Sequence, residues 1–405
     1  MAFSMIANRW RILALLFLVR TVMAIQFQMV AALSPAIEAE FAVNLIDVGV
    51  LIGLYFAPGI FIAAPGGALG RFFGEPRVVL AGLVLMLAGG ALMAFSPDWS
   101  AQLTGRVIAG IGGVFINVLL TKMVADWFVG KEISFAMAIF MTSWPVGIAL
   151  ALVVLPIVLA SSSLTFAMTA VVMLIAAGFV AFLMIYRAPT TASSVPVEEL
   201  SDFTLRGPML SSVLVAGAIW GLYNAALGIV FSFGPQLLVS RGLAPTEAGS
   251  VTSVVLWCLA IFAPLAGIVA DKTKMRLEFI AVGNLGFAWF VMHASYASHS
   301  IATVVAIGLF AGLGMGSMAS LPSLVLAPAV RAFGMGLFFT IYYMCIAAGP
   351  VLAGWVSQHF SLASTFQVAA GLLVFTVCLV PVFNRFANQT RREANVRPGS
   401  IAGRA

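Results

Sequence analysis

Residues 11–35 read RILALLFLVRTVMAIQFQMVAALSP, an apolar run in which Arg20 is the only charged residue after the first position. An α-helix needs about 20 mostly apolar residues to cross the hydrocarbon core of a bilayer. The run is also longer than the apolar core of a secretory signal peptide, which has about 7–15 residues. Residues 11–35 therefore predict a first transmembrane helix that is retained in the mature protein.

The rest of the chain has the same character. Of its 405 residues 62% are hydrophobic and only 8% are charged, whereas a soluble domain has about 25% charged residues. Because so few charges cannot cover a water-facing surface, most of the chain must face lipid or other helices. The sequence contains twelve apolar stretches of spanning length, near residues 11–35, 47–70, 77–96, 99–124, 133–157, 164–186, 208–235, 245–270, 277–297, 301–327, 334–357 and 362–386.

The polar interruption between the sixth and seventh stretches predicts a cytoplasmic linker between two bundles. Similar glycine-rich segments recur in the same order in both halves: Gly67 and Gly267 are 200 residues apart, and Gly110 and Gly312 are 202 apart. The sequence thus predicts an all-α membrane protein whose twelve transmembrane helices form two pseudo-symmetric six-helix bundles. The predicted units are residues 1–186, a linker at 187–207, residues 208–388, and a cytoplasmic tail at 389–405.

The basic residues predict the orientation of the chain in the membrane. Seventeen of the 20 lysines and arginines fall in segments on the same side as the N-terminus, and only Arg241 falls in a loop on the other side. Lys and Arg concentrate in cytoplasmic loops. We therefore expect a multi-pass inner (plasma) membrane protein with both termini in the cytoplasm. The net charge of +6 then reflects topology and does not indicate a nucleic-acid partner.

The loop after the second stretch resembles the G-x-L-x-D-R-x-G-R signature of the major facilitator superfamily. Gly67, Leu69 and Gly74 match it, but Arg71 stands where the acid is expected. Asp126, at the end of the fourth stretch, could supply the missing acid by pairing with Arg71 or with the next arginine, Arg77. In the family, the acid and its basic partners lock the cytoplasmic helix ends in one state.

The second half repeats this signature more completely, with Gly267, Asp271, Lys272 and Arg276 after the eighth stretch. Arg106 and Gly110 resemble the R-x-x-x-G signature of the family's fourth helix. The resemblance covers essentially the whole chain. It implies a monomer that transports a small solute by alternating access. Since no pair of cysteines has metal-ligand spacing, we expect no metal, and we expect no cofactor. Duplicated bundles of this kind place the solute site between the halves near mid-membrane.

A narrower resemblance concerns the segment from Arg331 to Tyr343, RAFGMGLFFTIYY, which is followed by Gly349 and Pro350. It looks like the cyanate-permease-like branch of the family, which an arginine in the first helix also fits. This resemblance implies that the solute is a small anion.

Arg20 lies about nine residues, or roughly 13 Å, into the first helix at 1.5 Å per residue. Charges at this depth are rare and usually functional. An arginine fork can grip a carboxylate or an inorganic oxyanion, which predicts an anion anchor. The alternative is a structural arginine that caps backbone carbonyls or pairs with an acid near a helix end.

Arg106 allows two interpretations as well. Gly110, Gly113 and Asn117 follow it at helical spacing and therefore share its face. Arg106 could couple or gate transport, or it could serve packing, paired with Asp47 or Asp98.

No carboxylate lies deep in any predicted span, because all 14 acids fall in loops or near helix ends. Cation carriers usually need a buried acid, so the sequence favours an anionic solute, with a proton that could accompany it. The polar and aromatic residues inside the spans predict a cavity lining, although packing is the alternative for each of them. The predicted substrate-binding residues are Arg20, Gln28, Asn117, Trp144, Trp220, Tyr223, Asn224, Tyr342 and Tyr343. The predicted coupling or gating residues are Arg106, Asp126, Asp271, Lys272, Arg276, Gly67 and Gly267.

Two other functions remain as alternatives to an anion transporter. An efflux carrier for neutral or lipophilic compounds predicts an apolar cavity and indifference to Arg20. A membrane-embedded enzyme requires a nucleophile–base pair, a metal cluster or paired buried carboxylates. The sequence contains no H-E-x-x-H and no Walker loop, which disfavours an enzyme and a self-contained primary pump.

Overall fold

The computed structural model of the chain is all-helical and confirms the predicted fold class. It describes residues 2–128, 133–187, 205, 207–296, 300–326 and 330–396. Within these ranges twelve helices are long and apolar enough to cross a membrane. Most of the predicted linker, 187–207, and the end of the predicted tail lie outside the described residues. The even number of spans places both ends of the chain on one side, called here the terminal side.

The helices follow the order of the predicted spans. The first half contains α1 (Ala2–Ala32), α2 (Ser34–Phe41), α3 (Leu45–Leu54), α4 (Gly59–Phe73), α5 (Glu75–Phe95), α6 (Trp99–Trp127), α7 (Ile133–Ala160) and α8 (Leu164–Ile185). The second half contains α9 (Gly207–Ser240), α10 (Pro245–Thr273), α11 (Arg276–Tyr296), α12 (Ile301–Ser320), a 3₁₀ turn (Leu321–Leu324), α13 (Arg331–His359) and α14 (Leu362–Val396).

The second span is interrupted, whereas the sequence predicted one continuous helix over 47–70. It divides into α3 and α4 at residues 55–58, where the turn ends at Pro58. Proline has no N–H to donate to the preceding turn. The backbone hydrogen bond spans three residues here instead of four, because the Tyr55 N–H bonds to the Ile52 carbonyl at 3.4 Å. The carbonyl of Leu51, four residues back, is left for another donor.

The two halves pack tightly on the side opposite the termini. A Cβ added to Gly49 would lie 2.3 Å from the Pro350 carbonyl oxygen, and one added to Gly354 would lie 2.4 Å from the Leu45 carbonyl oxygen. These glycines therefore allow α3 and α13 to approach to backbone contact. Between α7 and α10, Gly249 has the same role, since its Cβ would lie 2.1 Å from the Leu152 carbonyl oxygen.

The hydrogen bonds and glycine contacts between the halves extend from the opposite side to near mid-membrane. The Tyr343 ring packs against Gly59, and the Thr340 hydroxyl donates to the Ile60 carbonyl at 3.5 Å. Across the described residues, no hydrogen bond or glycine contact joins the halves closer to the terminal side than Thr340. The molecule is thus closed on the opposite side.

Candidate functional site

Arg20 is buried in the middle of α1, with only 8% of its surface exposed. Its Nε donates to Asn117 Oδ1 at 3.3 Å, and its Nη1 donates to the Phe140 carbonyl at 3.2 Å. Nη1 also lies 3.4 Å from the Met141 sulfur, and the guanidinium lies 4.8 Å from the centre of the Phe140 ring. These partners come from α6 and α7, so three helices of the first half position this side chain.

The Arg20 charge is not balanced by an acid. Within the described chain, the carboxylates in ion pairs bind Lys122 or Arg276, and none contacts Arg20. Its Nη2 makes no hydrogen bond to a described residue. A buried charge without a counter-charge is costly. Arg20 therefore retains both the charge and the free donor needed to hold an anion.

Asn117 connects Arg20 to the second half of the molecule. While its Oδ1 accepts from Arg20, its Nδ2 donates to the Tyr343 hydroxyl at 3.4 Å. Tyr343 is on α13 and is almost fully buried, and Tyr342 lies beside it with ring centres 5.0 Å apart. The hydrogen bonds thus run from α1 through α6 to α13, across the interface between the halves.

Aromatic rings surround this network on both sides of the interface. In the first half Trp144 stacks on Phe27 at 5.4 Å, and Phe56 lies 6.3 Å from Tyr343. In the second half Trp220 stacks on Tyr342 at 6.2 Å. Of the predicted substrate-binding residues, the structure brings together Arg20, Asn117, Trp144, Trp220, Tyr342 and Tyr343.

Three other predicted substrate-binding residues lie apart from Arg20 and bond to backbone carbonyls. Gln28 is fully buried and donates to the Phe231 carbonyl of the other half at 3.0 Å. The Tyr223 hydroxyl donates to the Ala311 carbonyl at 2.8 Å. The Asn224 amide donates to the carbonyl of Trp220, one turn earlier in its own helix, at 2.8 Å. Gln28 joins the halves, whereas Tyr223 and Asn224 bond within the second half.

Arg106 forms no ion pair with either suggested acid, which corrects the proposed pairing with Asp47 or Asp98. It is fully buried and donates to three backbone carbonyls: Leu51 at 3.0 Å, Gln26 at 3.0 Å and Phe27 at 2.6 Å. The Leu51 carbonyl is the one left free by the break between α3 and α4. Asp47 instead accepts from the backbone of Asn44 at the start of α3. Arg106 therefore joins α1, α3 and α6.

The predicted gating residues at the terminal side form local ion pairs. Asp126 binds Lys122 at 2.8 Å, and Lys122 also contacts Glu75. Among the described ion pairs Asp126 has none with Arg77, and the side chain of Arg71 lies outside the described residues. In the second half Arg276 binds Asp271 at 2.8 Å. Each set of ion pairs therefore lies within its own half, and neither joins the two halves. Lys272 is exposed in the last turn of α10.

Of the two predicted gating glycines, only Gly267 has its surroundings among the described residues. Gly67 lies within α4. A Cβ added to Gly267 would meet no heavy atom within 4 Å.

Four aromatic residues that surround the site were not predicted from the sequence: Phe27, Tyr55, Phe56 and Phe140. The Tyr55 ring lies 4.6 Å from the Arg106 guanidinium, and its buried hydroxyl has no hydrogen-bond partner in the described chain. The proline of the segment Tyr-Phe-Ala-Pro at 55–58 was the available signal, because a proline inside a span kinks or interrupts the helix, but it does not specify which of the two occurs. Phe27 and Phe140 resemble the other apolar residues of their spans and carry no such signal.

Two related six-helix halves that pack against each other on the side opposite the termini are typical of membrane transporters that work by alternating access. A sequence profile of the Major Facilitator Superfamily matches residues 16–243 and 209–400. The chain belongs to this superfamily.

Individual relatives are distant. The chain is 24% identical over 336 residues to the inner membrane transport protein YajR of Escherichia coli K12, covering 80% of this chain and 72% of YajR. A 28% identical match to protein Cj0987c of Campylobacter jejuni covers 34% of this chain and only 43% of that protein. The crystal structure of a point mutant of the nucleoside transporter NupG superposes with a TM-score of 0.73 at 13% identity, covering 92% of this chain and 99% of NupG. These similarities establish the fold.

Proposed function

We propose that this protein is a secondary transporter of a small anionic solute, which binds Arg20 between the two halves. The observation that carries the proposal is the unpaired charge of Arg20 at mid-membrane, with Nη2 free to donate. A carboxylate or oxyanion would neutralise this charge and accept a hydrogen bond from a rigid fork. No described acid competes with the solute for the guanidinium.

The position of the site supports alternating access. Arg20 and Asn117 belong to the first half and Tyr343 to the second, so a solute held by all three would contact both halves. With the opposite side closed, a solute would reach the site from the terminal side. If the two halves rocked about the site, Arg20, Asn117 and Tyr343 would become accessible from the opposite side.

Further features of the proposal follow from topology and similarity. The excess of basic residues on the terminal side favours a cytoplasmic location for both termini, and the similarity to YajR favours the inner membrane. We propose a monomer whose halves correspond to residues 1–186 and 208–388, with a proton as possible co-substrate. The cyanate-permease-like resemblance places cyanate, nitrate and short carboxylates among the solutes to test.

A ligand screen on the purified protein tests the role of Arg20. Thermal unfolding is measured with cyanate, nitrate, short mono- and dicarboxylates, and neutral and cationic compounds. A ligand that binds the native state raises the apparent stability by mass action. We expect one or more small anions to raise the unfolding temperature of the wild type and of Arg385→Gln. We expect no such shift with Arg20→Gln.

Arg385→Gln is the matched control, because Arg385 is exposed near the terminal end of α14 and the same charge is removed far from the site. If anions stabilise all three proteins equally, they do not bind at Arg20 and the proposal is wrong. A subsequent uptake assay in liposomes, starting from the best anion, would establish transport itself.

An efflux carrier for neutral or lipophilic compounds is the second candidate. The aromatic rings of Trp144, Trp220 and Tyr342 favour it, since they offer apolar contact surface on both sides of the interface. Stabilisation by neutral compounds that is equal in the wild type and in Arg20→Gln would support this function over the first.

A further inference from the structure

A second polar contact joins the halves on the opposite side of the membrane, away from Arg20. Gln236 of α9 is buried, and its Nε2 donates to Ser34 Oγ at 2.7 Å and to Glu38 Oε1 at 3.1 Å. Ser34 and Glu38 lie on α2, directly after the first span. We call Ser34, Glu38 and Gln236 the outer latch. It exists only while the opposite side is closed, because its members belong to different halves.

The latch contains an unused acceptor. Gln236 Oε1 is buried and has no hydrogen-bond partner in the described chain. A cavity beside it, lined by Ser34, Leu152, Pro235 and Gly249 among others, has about 20 Å³ of space for the centre of a water molecule, which is enough for one water. A protonated Glu38 could donate to this oxygen directly after a small rotation of the amide, or through one water. An ionised Glu38 can only accept.

The surroundings of Glu38 disfavour its ionised form. The Glu38 carboxyl is about half-buried, and this partial loss of water raises the pKa of Glu38 from 4.5 to about 7. The other charged groups of the adjoining elements point elsewhere: Glu40 and Glu247 are exposed. Asp47 caps the start of α3, and Arg241 donates to the carbonyls of Ala294 and Ser295 at 2.8 Å. α1 carries no charge between Arg20 and its end at Ala32.

We propose that Glu38 is a proton-binding site whose protonation holds the opposite side closed, so that acid on that side biases the transporter toward the conformation described here. The proposal rests on the alternating access of the proposed function, but not on the identity of the solute. It assigns the proton a regulatory site at the interface between the halves, separate from Arg20.

The direction of the pH effect follows from the linkage between proton binding and closure of the opposite side. When the halves separate, water reaches Glu38 and its pKa returns toward the ordinary 4.5, whereas closure raises it to about 7. The closed state therefore binds the proton more tightly and is favoured as the pH falls through 7. Between these two values the ratio of closed to open molecules changes by up to about tenfold per pH unit. Above pH 7 the carboxyl is ionised in both states and the dependence ends.

The test measures the separation of the halves without any solute. Cys258, Cys345 and Cys378 are replaced by alanine, and Ser100→Cys and Gln358→Cys carry spin labels. Both positions are exposed on the opposite side, one in each half. Distances are recorded by pulsed electron paramagnetic resonance from pH 5 to 9. We expect the short distance to dominate at low pH and a longer one to grow as the pH rises toward 7.

Two variants of α2 make the test specific. Glu38→Gln keeps an uncharged side chain in the latch, so the short distance should persist at every pH. Glu40→Gln removes an exposed charge two residues away and should leave the pH dependence intact. The proposal is overturned if the wild type shows no pH dependence, or if Glu38→Gln retains it. Either result would leave the anion site untouched, since that site is tested by the ligand screen on Arg20 variants.

Discussion

Arg20 and Arg106 are both buried arginines inside spans, but their partners give them different roles. Arg106 uses Nε, Nη1 and Nη2 on carbonyls of neighbouring helices. Arg20 leaves Nη2 without a partner and keeps a small exposed surface. Arg106 is fully buried and each of its three nitrogens already bonds to a protein carbonyl, whereas one nitrogen of Arg20 is unbonded within the described chain. We therefore assign Arg106 to structure and Arg20 to binding.

Substitution of Arg106 should destabilise the protein even in the absence of ligand. Arg106→Gln removes at least two of three hydrogen bonds and leaves buried carbonyls unsatisfied, at a cost of about 1–3 kcal/mol for each. We expect a clear fall in the unfolding temperature of the purified protein without solute. Arg20→Gln, which removes an unbalanced charge, should change that temperature much less.

The opposite pattern would reverse the two assignments. If Arg106→Gln unfolds at the wild-type temperature but no longer responds to the anion, then Arg106 contacts the solute. The sequence predicted that both residues were unusual, because their depth in the spans could be counted. It could not separate their roles, because one partner of Arg106, the Leu51 carbonyl, becomes available only through the break in the second span, and the other two are carbonyls of α1 that only the packing of the helices brings close.

At the scale of the elements, the close approach of α3 and α13 depends on glycines at their contact. Gly49 and Gly354 each face a backbone carbonyl of the other helix. A methyl group at either position must push the helices apart, because the clash is with backbone and cannot be relieved by a rotamer change.

Gly49→Ala should therefore open the opposite side. In the spin-labelled protein at pH 5.5 we expect a larger population with the long distance than in the wild type. Gly371→Ala is the control, since a Cβ at Gly371 meets no heavy atom within 4 Å; it should leave the distances unchanged and raise helix stability by up to about 1 kcal/mol. Equal distances in Gly49→Ala and in the wild type would contradict this prediction, because they would show that α3 and α13 accommodate the methyl group while the opposite side stays closed.

The sequence predicted the number and order of the spans, because each one is a long apolar run that composition alone reveals. It did not predict the division of the second span into α3 and α4. Pro58 lies inside an apolar run, and so do Pro145 and Pro156 of α7, which remain within one helix. Whether a proline kinks or interrupts a helix depends on which neighbours satisfy the freed carbonyls. In the second span that neighbour is Arg106, 55 residues after Leu51 in the chain.

For the whole molecule, the internal repeat made it possible to predict that residues from both halves meet near mid-membrane. Arg20 and Asn117 do meet Tyr343 there. The prediction could not decide which polar residue of a span faces the partner half and which faces its own bundle. Tyr223 turns toward α12 inside the second half, a direction set by packing that helical spacing alone does not specify.

Gln28 offers a test of how the halves are held together. Gln28 and Gln102 are both fully buried, and each has an unpaired Oε1. Gln28 donates to the Phe231 carbonyl of the other half at 3.0 Å. Gln102 donates within its own half, to the Met93 carbonyl at 2.7 Å and more weakly to the Ser96 carbonyl at 3.3 Å. The two residues are thus a matched pair that differs chiefly in the location of the acceptor.

Gln28→Leu and Gln102→Leu each remove one short hydrogen bond, worth about 1 kcal/mol, together with a buried oxygen that has no partner in the described chain. Because Gln102→Leu also removes the weaker bond to Ser96, it should lower overall stability at least as much as Gln28→Leu. Only Gln28→Leu removes a contact specific to the closed state. We expect it alone to increase the long-distance population in the spin-labelled protein, by roughly fivefold for 1 kcal/mol. A loss of anion binding in Gln28→Leu without any change in distance would instead place Gln28 in the solute site, as the sequence predicted. The distances and the ligand screen, measured on the same variants, therefore separate a residue that holds the halves together from one that holds the solute.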